Sequence, residues 1–185
     1  MSLIAISGSQ GQGKTTILSS LGEEGYKIVS HKTSRSILNE WGYTLNEVHK
    51  SPELTKKFQD EILVRHHLNN IDAINSDDLF FTERSYADIF TYTMFALGSF
   101  NEYNNWLNEY YEKCREGQRL YDAVIRLGGR TFNVSDDGVR SVNIHFTNAV
   151  DMVLEYYIKD FGTPVLNVTV PNHNKRMDII RQYIK

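Results

Sequence analysis

Gly8-Ser9-Gln10-Gly11-Gln12-Gly13-Lys14-Thr15 places glycine at the first and sixth of eight positions, then a lysine and a hydroxyl. This G-x-x-x-x-G-K-[ST] spacing is the one with which main-chain N–H groups wrap a phosphate chain. Glycine is needed because the backbone must approach the anion closely, in conformations that a Cβ disfavours. A helix beginning near Lys14 would add the positive end of its dipole. The pattern therefore assigns Gly8, Ser9, Gln10, Gly11, Gln12, Gly13, Lys14, Thr15 and Thr16 to the phosphates of ATP. Lys14 would bridge the β- and γ-phosphates, and the Thr15 hydroxyl would hold Mg²⁺.

A second constellation is Phe80-Phe81-Thr82-Glu83-Arg84-Ser85, an apolar run ending in an acid and a base. A carboxylate there can orient Mg²⁺ through water or take a proton from an attacking hydroxyl, which gives Glu83 a catalytic or metal-directed role. The planar donor fork of Arg84 suits an anionic or hydroxyl-rich acceptor. Arg35, in His31-Lys32-Thr33-Ser34-Arg35, is a second acceptor-binding candidate, and Trp41 and Tyr43 flank Gly42 as candidate stacking walls. Arg130 to Arg140 is a polar, aperiodic stretch bounded by arginines, and Arg140 is the candidate for charge developing on the transferring group. Asn172-His173-Asn174 stands where an adenine contact would be expected. Of the aromatic cluster Phe81, Tyr86, Phe90, Tyr92 and Phe95, most members suit core packing at helical spacing. His66 and His67 have no Cys or Asp partner at ligand spacing, so packing or solvation is expected of them.

The elements that must position these residues follow from periodicity. Leu3 to Ser7 reads as a buried strand, Lys14 to Leu21 as a helix stopped by Gly22 and Gly25, and Tyr26 to Ser30 as a second strand. Arg35 to Trp41 reads as a short helix. Ser51-Pro52-Glu53 supplies a cap, a first-turn proline and a first-turn acid for a long helix to about Asn75. Strands at Leu79–Thr82, Ala123–Leu127 and Val165–Val170 alternate with helices at about 86–97, 101–114, 142–159 and 175–184. Such alternation implies an α/β fold, a parallel sheet with helices on both faces. Ligands of such sheets sit at the carboxyl ends of the strands, where the loop at Gly8 and the Glu83-Arg84 pair both emerge. No repeat or linker interrupts the pattern, so residues 1–185 are expected to form one domain, with a lid at about 128–141.

Composition narrows the partners. Over 185 residues, 41% are hydrophobic and 23% charged, which suits a globular domain and excludes a disordered or fibrous chain. The net charge of −3 offers no footprint for long nucleic acid and disfavours DNA as the acceptor. A single cysteine, Cys114, cannot form an internal disulfide and is expected to be a packed helix residue. No run approaches the ~20 apolar residues of a membrane helix. The first residues read as a strand entering a glycine loop rather than a secretory leader, so a cytoplasmic, membrane-free protein, monomeric or homo-oligomeric, is expected.

In the order of its features the chain resembles the ribosylnicotinamide kinase domain of NadR and the related small P-loop ATPase/kinase family found in phage genomes. The resemblance spans nearly the whole chain. It rests on the glycine loop, Gly25-Tyr26 with Ile28-Val29 and Arg35 after it, Phe58-Gln59 with Glu61-Ile62-Leu63 and Arg65, Glu83-Arg84, and Asp136 to Ser141. It implies a P-loop NTPase with a five-stranded parallel sheet, like that of nucleoside and nucleotide kinases, with a lid loop. Related proteins usually carry aspartate at Glu83. Glu83-Arg84-Ser85 is also similar to the corresponding string of deoxyribonucleoside kinases, whose further acid after the second strand has no counterpart in His31–Arg35. The expectation is a kinase moving the γ-phosphate of ATP to a small nucleoside-like or nucleotide acceptor. The alternatives are a kinase of a hydroxymethylated base in DNA, an ATPase or switch with no phosphoryl acceptor, and a subunit with a structural P-loop.

Overall fold

Ser2–Ser7 forms strand β1, and its side chains divide by parity: Leu3 and Ala5 enter one core cluster, Ile4 and Ile6 the other. A strand covered on both faces loses the polar alternation of an exposed sheet, which is why Leu3 to Ile6 is an unbroken apolar run. The computed structural model describes residues 2–29, 33–75, 77–129 and 143–185. After β1 come α1 (Lys14–Glu23), β2 (Lys27–Val29), α2 (Thr33–Trp41), α3 (Leu45–His49), α4 (Pro52–Ile74), β3 (Leu79–Glu83) and α5 (Tyr86–Leu97). A 3₁₀ turn at Asn101–Tyr103 leads into α6 (Asn104–Gln118), followed by β4 (Ala123–Leu127), α7 (Ile144–Asp160), β5 (Val165–Val168) and α8 (His173–Tyr183). All strand pairs are parallel, in the order β2-β3-β1-β4-β5.

On one face α1 and α8 bring Ile17, Leu18, Leu21, Met177 and Ile180 against Phe81, Ile125 and Leu127. On the other, Phe90, Tyr110, Leu154 and Ile158 from α5, α6 and α7 pack on Leu3, Ala5 and Val124. Arg126 shares the parity of Val124, and its buried guanidinium pairs with Asp151 of α7 at 2.8 Å and Glu155 at 3.3 Å. A smaller cluster of Ile37, Leu38, Val48 and Phe58 holds α2 and α3 against α4. Among the described residues no helix is long and apolar enough to cross a membrane.

The structure departs from the sequence expectations in a few places. Gly22 lies inside α1 rather than stopping it. Leu18 and Leu21 are buried on the same helix, and that packing outweighs glycine's roughly 1 kcal/mol penalty. The short helix α3 was not anticipated, although Thr44 and Glu47 form a complete capping box around its start. The fifth strand ends at Val168, earlier than expected, and the last helix begins at His173 rather than Lys175, capped by the Asn172 side chain. Cys114 is fully buried, and that burial pushes its thiol well above the ordinary range.

Candidate functional site at the carboxyl edge of the sheet

The glycine loop leaves β1 at Ser7 and enters α1 at Lys14. Gly8, Gly11 and Gly13 take φ values of 144°, 76° and 81°, all in the region other residues rarely adopt. Gly8 is also needed for space, since a Cβ there would sit 2.7 Å from the Leu127 carbonyl oxygen of β4. Gly13 caps α1 without a side-chain hydrogen bond, so no cap side chain screens the helix's positive end. The Lys14 ammonium arches back across the loop, donating to the Gly8 carbonyl at 2.7 Å and the Ser9 carbonyl at 3.0 Å. Thr15 and Thr16 are exposed in the first turn of α1.

Two buried side chains brace this loop, Asp88 and Arg176, and neither is among the residues singled out from the sequence. The Asp88 carboxylate accepts from the Ser7 hydroxyl at 2.6 Å and, at 3.4 Å, from the Gly8 N–H. It also accepts from the Ser85 N–H and hydroxyl, each at 2.8 Å, which closes a capping box at the start of α5. The signal was there: Ser85-x-x-Asp88 ahead of an apolar run is a helix-start pattern. Arg176 of α8 reaches the loop from the other side and donates to the Gln12 carbonyl. No local pattern announces it, because its loop partner lies 164 residues away in sequence.

The β1–β3 register sets Ile6 opposite Glu83, so the acid–arginine pair emerges beside the glycine loop as expected. The Thr15 hydroxyl points at Glu83 Oε1 across 3.5 Å, a long and weak contact. Both are hard oxygen donors, the kind Mg²⁺ takes while keeping much of its own water shell. Arg84 has φ 73°, the left-handed region seldom taken by a bulky residue, and its N–H donates to the Ile6 carbonyl at 2.9 Å. Its guanidinium lies 4.7 Å from the centre of the Tyr92 ring. Burial works against the Arg84 charge, but Tyr92, Asp88 and Glu83 outweigh it and hold the group above its ordinary range. Burial likewise raises the Tyr92 hydroxyl, with Arg84 pulling the other way.

The remaining candidates spread along α2 and beyond. Arg35 is exposed in the first turn of α2. Trp41, at the helix end, sets its ring edge-on to Phe58 at 6.1 Å and packs against the small cluster there. Tyr43 is 45% exposed beyond Gly42. Asn172 caps α8, and His173 Nε2 meets the Ser20 hydroxyl at 3.1 Å, so both have local structural contacts. Phe81, Tyr86 and Phe90 are buried in the core, while Phe95 lies partly exposed 5.3 Å from Phe146. His66 and Asn70 share the buried Tyr121 hydroxyl, at 2.7 and 2.8 Å, and His67 meets the Tyr86 hydroxyl. Arg140, with residues 130–142, lies outside the described residues.

The fold is similar to that of deoxyadenosine kinase from M. mycoides with bound dATP, at TM-score 0.69 and 16% identity over 100% of this chain and 99% of that one. The same enzyme with bound dCTP aligns at TM-score 0.66 and 19% identity over 98% of each chain. NadR protein in complex with NR aligns at TM-score 0.69 and 16% identity over 98% of this chain, which spans about half (51%) of that longer one. At these identities the likeness is one of fold. No curated protein matches the sequence. Residues 3–176, from the first strand through the arginine that braces the loop, match the AAA domain family, and with the P-loop in its place on a nucleotide-kinase-like sheet the chain belongs to that family.

Proposed function

We propose that the chain is a phosphotransferase that moves the γ-phosphoryl group of ATP to a hydroxyl or phosphate of a small nucleoside-like or nucleotide acceptor. The observation that carries this reading is the adjacency of the P-loop and the Glu83-Arg84 pair, with Thr15 and Glu83 facing each other across 3.5 Å. The fold's similarity to deoxyadenosine kinase and NadR supports the same class of acceptor.

The acceptor oxygen attacks the γ-phosphorus, the bond to the β–γ bridging oxygen breaks, and ADP leaves with the electron pair. The Glu83 carboxylate takes the proton of a hydroxyl acceptor. Thr15 and, through water, Glu83 would hold Mg²⁺, which when bound neutralises charge on the phosphates. Lys14 moves from the carbonyls of Gly8 and Ser9 to the phosphate oxygens. Arg84, with its Cα fixed by the left-handed turn, aims its donor fork at the acceptor beside the loop. Arg35 and Tyr43 are assigned to the acceptor's outer side and Arg140 to the transferring group. Positioning and charge dominate this reaction, so no strong nucleophile is required of the protein.

The test is transfer of label from γ-labelled ATP to a panel of nucleosides, ribosylnicotinamide, nucleoside monophosphates and hydroxymethylated DNA. Label should appear on one small acceptor class, and Lys14→Ala and Glu83→Gln should each lower the rate by roughly 10²–10³-fold. Label on DNA alone would move the protein to base modification. Release as inorganic phosphate, indifferent to every acceptor, would replace the kinase by an ATPase or switch.

A further inference from the structure

Arg176 is 2% exposed, and its partners among the described residues are main-chain carbonyls from three separate segments. Nε donates to Val170 beyond β5 at 2.6 Å, and one Nη to Gly128 at 2.6 Å and Gly129 at 2.8 Å at the end of β4. The other Nη donates to the carbonyl of Gln12, inside the P-loop. An arginine fork is planar and rigid, so four such bonds fix these segments relative to one another. The anchor is firm, because Met177 and Ile180 on the same helix are buried and Asn172 caps its start. Space has been kept for the junction too. A Cβ at Gly129 would lie 2.3 Å from the Thr169 carbonyl oxygen, so the ends of β4 and β5 meet main chain to main chain.

The Gln12 bond bears on the site. In a planar trans peptide the C=O and the following N–H point in opposite directions. Holding the Gln12 carbonyl toward α8 therefore turns the Gly13 N–H away from α8. The next peptide is fixed as well, since the Gly13 carbonyl accepts from Ile17 N–H at 3.0 Å in the first turn of α1. Gly13 sits between these two pinned peptides at φ 81°.

We propose that Arg176 is a positioning residue of the triphosphate site: it aims the Gly13 N–H at the phosphate chain and places a buried cation behind the loop. This rests on the reading of the loop as a phosphate site and is independent of the acceptor. The arginine never touches the nucleotide. Its effect on the phosphates is made through the orientation of one peptide and through its charge, so it acts on the triphosphate and is indifferent to base and sugar.

The test is calorimetric binding of MgATP and of inorganic tripolyphosphate with Mg²⁺ to the full chain. The variants are Arg176→Met, Arg176→Lys and Ile180→Ala, the last loosening the same helix without touching the loop. Arg176→Met should weaken both probes by tenfold or more, and by the same factor, because tripolyphosphate has neither base nor sugar. Arg176→Lys should fall between wild type and Arg176→Met. Ile180→Ala should bind both probes within twofold of wild type even though its melting temperature falls. Affinities of Arg176→Met within twofold of wild type would overturn the proposal. So would an equal loss in Ile180→Ala, which would reduce Arg176 to a general support of α8. If Arg176→Met does not fold, Arg176→Lys against Ile180→Ala decides on the same terms. A wild-type chain that binds neither probe would overturn the phosphate reading along with it, whereas binding without any transferable acceptor would remove the kinase and leave this inference standing.

Discussion

The two flanks of the sheet's carboxyl edge differ in how much of their polar support lies near the surface, although the α2–α4 flank also has a buried tie from the Thr55 hydroxyl to the Val48 carbonyl at 2.8 Å. Around the P-loop the supports are buried and mostly reach main-chain groups: Asp88 grips Gly8 and the Ser85 turn, and Arg176 grips Gln12, Gly128, Gly129 and Val170. On the flank of α2 and α4 the ties include side-chain pairs near the surface. Arg65 forks onto Glu40 at 2.6 and 2.7 Å and onto Glu61 at 2.7 Å, and Lys56 pairs with Asp60 at 2.9 Å. Exposed pairs of that kind contribute about 0–1 kcal/mol each, whereas a buried polar group left without its partner costs about 1–3 kcal/mol. One flank is thus fixed at the loop proposed to meet the phosphates. The other can exchange surface residues at little cost to the fold, which would suit the side proposed to select an acceptor.

The sharpest way to break this contrast is to remove one support from each flank. Asp88→Ala strips the buried Ser7 hydroxyl and the Ser85 N–H of their acceptor and opens the capping box. The expected loss is about 3 kcal/mol in urea unfolding, with weaker triphosphate binding. Arg65→Ala should cost under about 1 kcal/mol and leave triphosphate binding unchanged. Equal losses in the two variants would mean that the flanks do not differ as argued.

The same contrast governs what was legible in the sequence. The P-loop, the parallel sheet and the Glu83-Arg84 edge could be read because each rests on local spacing: a fixed string, apolar runs, an acid–base pair ending a strand. Asp88 was half-legible, as a capping acid whose reach to Ser7 and Gly8 only the fold creates. Arg176 was not legible at all, since nothing in the sequence of α8 foretells carbonyls contributed by three other segments. On the α2 flank, Trp41 and Tyr43 looked equivalent on either side of Gly42. The structure separates them, one packed on Phe58 and the other exposed.

That separation gives a second, smaller effect. Trp41→Ala removes a half-buried ring from the cluster holding α2 and α3 to α4, and should cost about 2 kcal/mol in chemical denaturation, below the range for a fully buried Trp. Tyr43→Ala should leave stability within about 0.5 kcal/mol of wild type, as surface substitutions usually do. If Tyr43 is the stacking wall, its removal raises KM for the acceptor while KM for ATP stays put. A Tyr43→Ala chain with unchanged kinetics toward every acceptor would place the wall elsewhere.

The smallest expected effect lies where the two flanks meet, at Arg84. Its φ of 73° belongs to the left-handed region, where a Cβ costs about 1–2 kcal/mol, and the turn is held by its N–H on the Ile6 carbonyl and by the Ser85 cap that follows. Replacing the side chain by alanine or by glycine removes the same guanidinium from Tyr92 and from its proposed place at the acceptor, so both variants should lose transfer to the same extent. They differ only in the Cβ. Arg84→Gly should therefore be more stable than Arg84→Ala by about 1 kcal/mol, even though glycine adds freedom to the unfolded chain. A difference of that sign, with matched loss of activity, would mean that the strain is borne in order to aim the arginine between donor and acceptor. An alanine variant as stable as the glycine one would mean that the turn relaxes once the arginine is gone, and that the guanidinium's own contacts, rather than the buried P-loop framework, impose its conformation.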